Sequence, residues 1–420
     1  MALAADANDH TALGRTPALG ASVVPLLALA VFINYVDRGN LATAAPLIKD
    51  QLHLDNTEIG ILLSAFFWTY TPGLVLAGWL ADKINAYRTL ALGLALWSLA
   101  TIGMGLAGGF IAVLCLRLAL GLGESAAMPC SSNLLARHLP ANRLGAANGM
   151  IAVGLALGPA VGTLLGGLLM ARLGWRPVFM LFGLGYLLWL VPWLWTTRHA
   201  SRRAARTVEE AGPPFWEILA QRDLWGAALG HFASNYMFYF IVSWLPLYLV
   251  KARGFSMGEM AEVGGVIYVI HAGSAQITGW LSDRWMTAGA TKTRVYKTFA
   301  VVAHLGSAGC MLACAFGQPV ISIGALLLSG VFSGFTTPTI FAIGQTLGGP
   351  RGGGKWIGVQ NGIGNLAGIL GPVITGYVVD KTGQFSLAFA IAAATGVAGA
   401  VGWGWVIRKV EPVAWAPAKA

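Results

Sequence analysis

Charge is what this chain has least of. Asp, Glu, Lys and Arg make up 10% of its 420 residues, 56% are hydrophobic, and the mean hydropathy is +0.67. Soluble domains carry about a quarter charged residues, so a soluble enzyme or binding module is excluded. Cysteine is scarce too. The four cysteines, Cys115, Cys130, Cys310 and Cys314, all fall in apolar runs, which leaves no disulfide framework between outer loops. Cys310 and Cys314 share a helix face, but two ligands do not make a metal site, and packing accounts for them. No metal or cofactor is expected. A cleavable leader is not expected, since the start MALAADANDH is acidic where a signal peptide is basic.

Catalytic and nucleotide motifs occur only in the wrong surroundings. GMGLAG (103–108) fits a dinucleotide pattern but ends an apolar helix, and GPRGGGK (349–355) is followed by Trp356 where a phosphate loop needs Ser or Thr. GFSMG (254–258) fits a nucleophile pattern without its strand-turn-helix context. No enzyme is supported.

What the chain has is apolar length. Windows of about 20 residues predict twelve membrane spans near 20–46, 57–81, 87–107, 109–136, 144–171, 176–197, 223–250, 260–282, 296–316, 319–345, 356–379 and 385–407. The 56 glycines and 18 prolines suit closely packed membrane helices rather than barrel strands. A net charge of +10 raises the possibility of nucleic-acid binding, and the distribution of charge decides against it. With the N-terminus inside, 19 of the 27 Lys and Arg fall on the cytoplasmic side and 6 outside. That bias follows the positive-inside rule and predicts a multi-pass inner-membrane protein with both termini cytoplasmic.

The spans repeat as six and six. GWLADK (78–83) returns as GWLSDR (279–284), and NGMIAVGLALGP (148–159) as NGIGNLAGILGP (361–372), at offsets of 201 and 213. Such parallel repeats occur in transporters with a site between the halves near the midplane. The expected organisation is an N-terminal half, 1–197, a linker, 198–222, and a C-terminal half, 223–420. The linker's FWEILAQRDLW is read as a short amphipathic interface helix.

These features resemble the major facilitator superfamily. Its loop motif between spans 2 and 3 matches at Gly78, Asp82, Lys83 and Arg88, with Asn85 replacing the usual Gly; Asn tolerates left-handed backbone, so the turn is expected to survive. The Gly158-Pro159 pair matches a further recurrent motif. NYVDRGNL (34–41), the Arg117 to Glu124 spacing with Pro129 after it, and HFASNYMFYFIVSWLPLYLVKARGFS (231–256) resemble the anion:cation symporter family, whose members include sugar-acid permeases.

Asp37, Arg38, Arg117 and Glu124 stand inside apolar runs. Each costs about 2.5 to 3.5 kcal/mol at a helix centre, so pairing, water or a function must offset them. Arg117 and Glu124, seven residues apart, share a helix face, whereas Asp37 and Arg38 point about 100° apart. Two ion pairs tying spans 1 and 4 together would be the structural account. The functional one has arginine clamping a carboxylate bidentately and carboxyls carrying protons, since burial favours their neutral form and arginine the charged one. The resemblance implies the same roles: Arg38 and Arg117 near the substrate, Asp37 and Glu124 in coupling.

Neutral groups complete the expected site. Span 7 carries His231, Asn235, Tyr239 and Ser243 at four-residue intervals, span 11 carries Asn361 and Asn365, and spans 1 and 2 offer Tyr35 and Tyr70. Interhelical hydrogen bonding would account for each of them as well. Asp82, Lys83, Arg88, Asp283 and Arg284 are read as gating groups, with solvated helix ends as the alternative. Thr336 and Thr337 before Pro338 mark a candidate break in span 10. The resulting expectation is an all-α, monomeric secondary transporter that imports a small organic anion such as a sugar acid with protons. A proton-coupled drug or metabolite exporter of the same fold, its acids binding cationic drugs, is the alternative, against which the two arginines argue.

Overall fold

The computed structural model describes residues 23–138, 141–198 and 213–415, and within them every side chain except those at 82, 83, 136–138, 141–146, 148, 149, 156, 319, 350, 351 and 354. Before the linker the chain forms α1 (Val23–Arg38), α2 (Asn40–Leu52), α3 (Asn56–Leu80), α4 (Ala86–Leu106), α5 (Phe110–Glu124), α6 (Ala127–His138), α7 (Ala141–Leu173), α8 (Trp175–Leu188) and α9 (Leu190–Thr197). After it come α10 (Phe215–Leu219), α11 (Arg222–Leu247), α12 (Met257–Thr287), α13 (Lys292–Phe316), α14 (Pro319–Thr382) and α15 (Ser386–Val401). Among the described residues the regular structure is all helical, and ten helical stretches are long and apolar enough to cross a membrane. The two other expected spans fall short for separate reasons. The first divides at Gly39 into α1 and α2, each too short to cross alone. The eighth, α12, is 31 residues long, but the uncharged stretch between Glu262 and Asp283 is diluted by His271, Ser274, Gln276, Thr278 and several glycines.

Short connections are fixed by side-chain caps. Asp55 and Glu58 form a capping box at the start of α3, Ser256 and Glu259 another on α12, and Thr291 caps α13. Asn85 does not use left-handed backbone: its φ is 177°, and its Oδ1 accepts from Tyr87 N at 2.8 Å and from Arg88 N at 3.4 Å, capping α4. Asparagine is thus accommodated as an N-cap. The candidate break at Thr336–Pro338 is absent. α14 is helical there, and its one non-helical residue is Gly349, at φ 60° and ψ −171°, a conformation essentially restricted to glycine. Nor is FWEILAQRDLW one helix, because α10 stops at Leu219 and extended Gln221 starts α11. Phe215 and Trp216 on α10 are exposed.

Helices from the two sides of the linker meet closely at one end. A Cβ on Gly60 of α3 would lie 2.4 Å from Pro372 O of α14, and one on Gly376 2.3 Å from Asn56 O; only glycine permits this approach. On the other flank Gly167 of α7 abuts Ala261 of α12. Asp380, near the end of α14, caps the N-terminus of α3: its carboxylate accepts from Asn56 N at 3.1 Å, Asn56 Nδ2 at 2.7 Å, Thr57 N at 2.6 Å and the Thr57 hydroxyl. A carboxylate at a helix N-terminus is favoured by the orphan N–H groups and the dipole. Lys251 pairs with Asp50 beside it.

Asp380→Asn removes the charge from this latch. We expect it to raise the labelling rate of a cysteine placed at Ser243, in a Cys115→Ser background, by about tenfold, the equivalent of one charge-assisted hydrogen bond. An unchanged rate would show that Asp380 does not hold this end closed.

Candidate functional site

The site begins where the first span breaks. α1 ends at Arg38 and α2 starts at Asn40, and at this junction neighbouring side chains diverge. Asp37 turns into the helix group formed before the linker, where it is buried and accepts from Asn40 Nδ2 at 2.6 Å and Thr101 Oγ1 at 2.9 Å. Asn40 Nδ2 also reaches the Tyr186 hydroxyl at 3.4 Å. Arg38 turns the other way. Its guanidinium stands 4.5 Å from the Tyr35 ring centre, 4.6 Å from that of Tyr70 and 5.2 Å from that of Phe66, so aromatic faces replace part of its lost hydration.

Arg38 has one acidic neighbour. A terminal nitrogen is 3.5 Å from Glu124 Oε2 and 3.2 Å from Asn34 Oδ1, and Asn34 Nδ2 donates to the Glu124 carbonyl at 3.4 Å. The pairing is incomplete. Arg38 Nε and both Glu124 carboxylate oxygens are buried without a hydrogen-bond partner among the described residues, although the Glu124 side chain is fully buried and that of Arg38 only 11% exposed. Buried groups of this kind are usually satisfied, which leaves both with bonding capacity for another occupant.

Arg38 borders a cavity of about 410 Å³, within the range of small-molecule sites. Tyr35, Tyr70, Asn235, Tyr239 and Asn361 line it with Arg38, so six expected binding residues come together. Tyr239 donates to Asn365 Oδ1 at 3.0 Å, and Asn365 Nδ2 to Asn361 Oδ1 at 3.3 Å. The cavity lies on the linker side of the closure: Tyr70 and Leu74 follow Phe67 along α3, Asn361 and Asn365 precede Gly368 on α14, and Phe67 packs on Tyr239 at 4.6 Å and under Gly368.

Three expected charged groups stand off the cavity wall. Asp37 and Glu124 lie behind it, and Arg117 donates from Nε to Leu62 O at 3.1 Å and from a terminal nitrogen to Leu63 O at 3.4 Å. Arg117 borders only a smaller void, shared with Arg38, Phe67, Tyr239 and Ser243. Of the gating residues, Arg88, Asp283 and Arg284 are exposed at helix ends, Arg284 over Trp280. The side chains of Asp82 and Lys83 lie outside the described residues.

The profile of the Major Facilitator Superfamily matches residues 27–372. The chain belongs to that superfamily. It is a multi-pass membrane transporter and not an enzyme. The hexuronate transporter of Bacillus subtilis (strain 168) is 29% identical to it over 410 residues, covering 94% of this chain and 96% of the relative. The probable galactarate/D-glucarate transporter of the same organism is 25% identical, covering 97% and 96%. A probable sulfoacetate transporter of Cupriavidus necator is 27% identical, covering 89% and 90%. These are organic-anion transporters, the kin that the anion:cation symporter resemblance implies. The fold matches a bacterial homologue of the human lysosomal transporter Spinster, solved inward-facing and unoccupied, with a TM-score of 0.74 and 20% identity over 92% of this transporter and 95% of that chain.

Sequence reasoning passed over several lining groups of the transporter, His271, Ser307, Ser329 and Ser333 among them. His271 interrupts the apolar run VIYVIHAGS, and a titratable residue inside a span was the available signal. His231, the first residue of the span 7 polar series, lines the cavity and meets Gln360 Nε2 at 3.4 Å.

The geometry separates the two arginines. In this conformation Arg38→Ala is expected to weaken carboxylate binding by about a hundredfold, the scale of a bidentate charged pair, and Arg117→Ala by less than about fivefold. Titration of the purified variants with glucuronate checks this; equal losses would put Arg117 in the site.

Proposed function

We propose that this transporter imports a small organic anion, such as a sugar acid, together with protons. The observation that carries the reading is Arg38: a permanently charged guanidinium at the cavity wall with an unpartnered Nε, matched only loosely by Glu124. A substrate carboxylate offers two oxygens in the geometry that guanidinium favours. The similarity to hexuronate and sulfoacetate transporters supports the same substrate class.

Coupling follows from competition for that arginine. When the substrate takes Arg38, Glu124 loses its cation and has no other donor to its oxygens among the described residues. An isolated carboxylate in that interior carries a large desolvation cost, which a proton removes. Anion and proton therefore occupy the protein together. Asp37, whose hydrogen-bond partners among the described residues are the neutral Asn40, Thr101 and Tyr186, is the second proton carrier.

The organisation proposed with this mechanism is two halves, 1–197 and 223–420, joined by the cytoplasmic linker 198–222, with both termini in the cytoplasm of a cell with an inner membrane. The linker-side cavity is then the inward-open site, and the Asp380 latch closes the outer end. Rocking of the halves exposes the site alternately, in a monomer. Asp82, Lys83, Arg88, Asp283 and Arg284 sit where the inner gate would close. Each pH unit across the membrane supplies about 1.4 kcal/mol per proton, so uptake rises as external pH falls.

Glu124→Gln in reconstituted vesicles tests the coupling. The variant is expected to exchange labelled glucuronate across the membrane yet fail to accumulate it against its gradient under an acid-outside pH difference. Full uphill uptake would remove Glu124 from the mechanism.

A further inference from the structure

The cavity wall formed by α12 and α14 carries an imidazole that carboxylate capture does not use. His271 of α12 lines the cavity, with Nδ1 2.8 Å from Ser333 Oγ and Nε2 3.3 Å from Thr337 Oγ1, both on α14. The Ser333 hydroxyl also reaches the Gly330 carbonyl at 3.1 Å. Hydroxyls thus meet both ring nitrogens of a neutral imidazole, which offers one donor and one acceptor. Phe238, 5.9 Å away between ring centres, packs against the same imidazole. The ring is held in one orientation at the cavity surface.

Charge around the cavity is one-sided. Arg38 is the only Lys, Arg, Asp or Glu among the described residues that line it. The groups that touch His271, namely Ser333, Thr337 and Phe238, are neutral, as are Ser307, Ser329, Asn361 and Asn365 elsewhere in the lining. One cation balances one carboxylate. A second carboxylate carried to the His271 wall meets no cation, and a buried charge left unpaired costs more than neutral hydrogen bonds return. A substrate hydroxyl there meets hydroxyls and amides that both donate and accept.

On the anion reading above, we propose that His271, set between Ser333 and Thr337, is a specificity-determining residue that receives the hydroxyl-bearing end of the substrate. The cavity accordingly takes hydroxylated monocarboxylates in preference to dicarboxylates. Discrimination arises because a site built to bond a hydroxyl rejects a ligand that leaves its polar groups unpaired.

Three six-carbon acids separate the contributions in titrations of the purified full chain: D-gluconate has hydroxyls and one carboxylate, D-glucarate hydroxyls and two, hexanoate one carboxylate and no hydroxyl. The intact protein is expected to bind gluconate about tenfold or more tighter than either of the others. His271→Ala should cost gluconate about tenfold and change hexanoate by no more than about twofold, which also shows that the variant is folded. His271→Gln, which keeps a donor and an acceptor, should restore most of the gluconate affinity. Glucarate bound as tightly as gluconate overturns the proposal, and so does a His271→Ala loss of equal size for gluconate and hexanoate. Arg38→Ala distinguishes this from failure of the anion reading. If it leaves every affinity unchanged, or if the intact protein binds none of the acids, both ideas fall; if it abolishes binding while His271→Ala lowers all three alike, only the role of His271 falls.

Discussion

Much of this structure is organised around a guanidinium that cannot shed its charge. Arginine stays protonated at any working pH, so Arg38, buried beside a cavity, must be neutralised by its surroundings. Here the surroundings do so incompletely. Three aromatic rings, one asparagine oxygen and one carboxylate at 3.5 Å stand near it, and Nε remains unpartnered. A tighter pair with Glu124 would be a structural ion pair with little left to offer a ligand. Its looseness is what makes the site chemically responsive, because a competing carboxylate gains more by displacing a poorly bonded partner than a well-bonded one.

The same helices that build this site also close one end of the bundle. α3 carries Gly60 and Asn56 at the closure, Phe67 at its floor and Tyr70 in the cavity wall; α14 carries Asp380, Gly376, Gly368 and Asn365 in the matching order. A helix transmits displacement along its length with little internal give, so opening the Asp380 end and reshaping the cavity are not independent events. Phe67 against Tyr239 marks the boundary between the two regions. Small residues permit the backbone approach there, and a single carboxylate capping α3 gives the approach a polar, reversible component.

How much could be read beforehand differs by type of feature. Apolar length gave the helices, and the unusual charges at 37, 38, 117 and 124 marked the region of interest, because a charge inside a span is costly enough to need a reason. The divergence of Asp37 and Arg38 also follows from adjacent positions on a helix. Arg117 was harder. Its spacing from Glu124 gives the face it occupies, but not that the guanidinium reaches Leu62 O and Leu63 O of a neighbouring helix. Asn85 shows the same limit in the backbone: the residue type allowed a left-handed turn, whereas its side chain found two amides to cap and the backbone stayed extended. His271 was legible only as an exception within an apolar run, since its value lies in Ser333 and Thr337, more than sixty residues later in the chain.

By itself, then, the sequence determined that this chain is a bundle of membrane helices whose four charges inside apolar runs, Asp37, Arg38, Arg117 and Glu124, all lie before the linker, since hydropathy and helical period are local properties that survive any tertiary arrangement. Tertiary structure decided which of those charges faces the cavity. Arg38 meets the cavity, Asp37 meets Asn40 and Thr101, and Arg117 meets backbone carbonyls. The choice depends on which neighbouring helix supplies the nearest acceptor or open space, and that is a property of packing between distant segments rather than of any one of them.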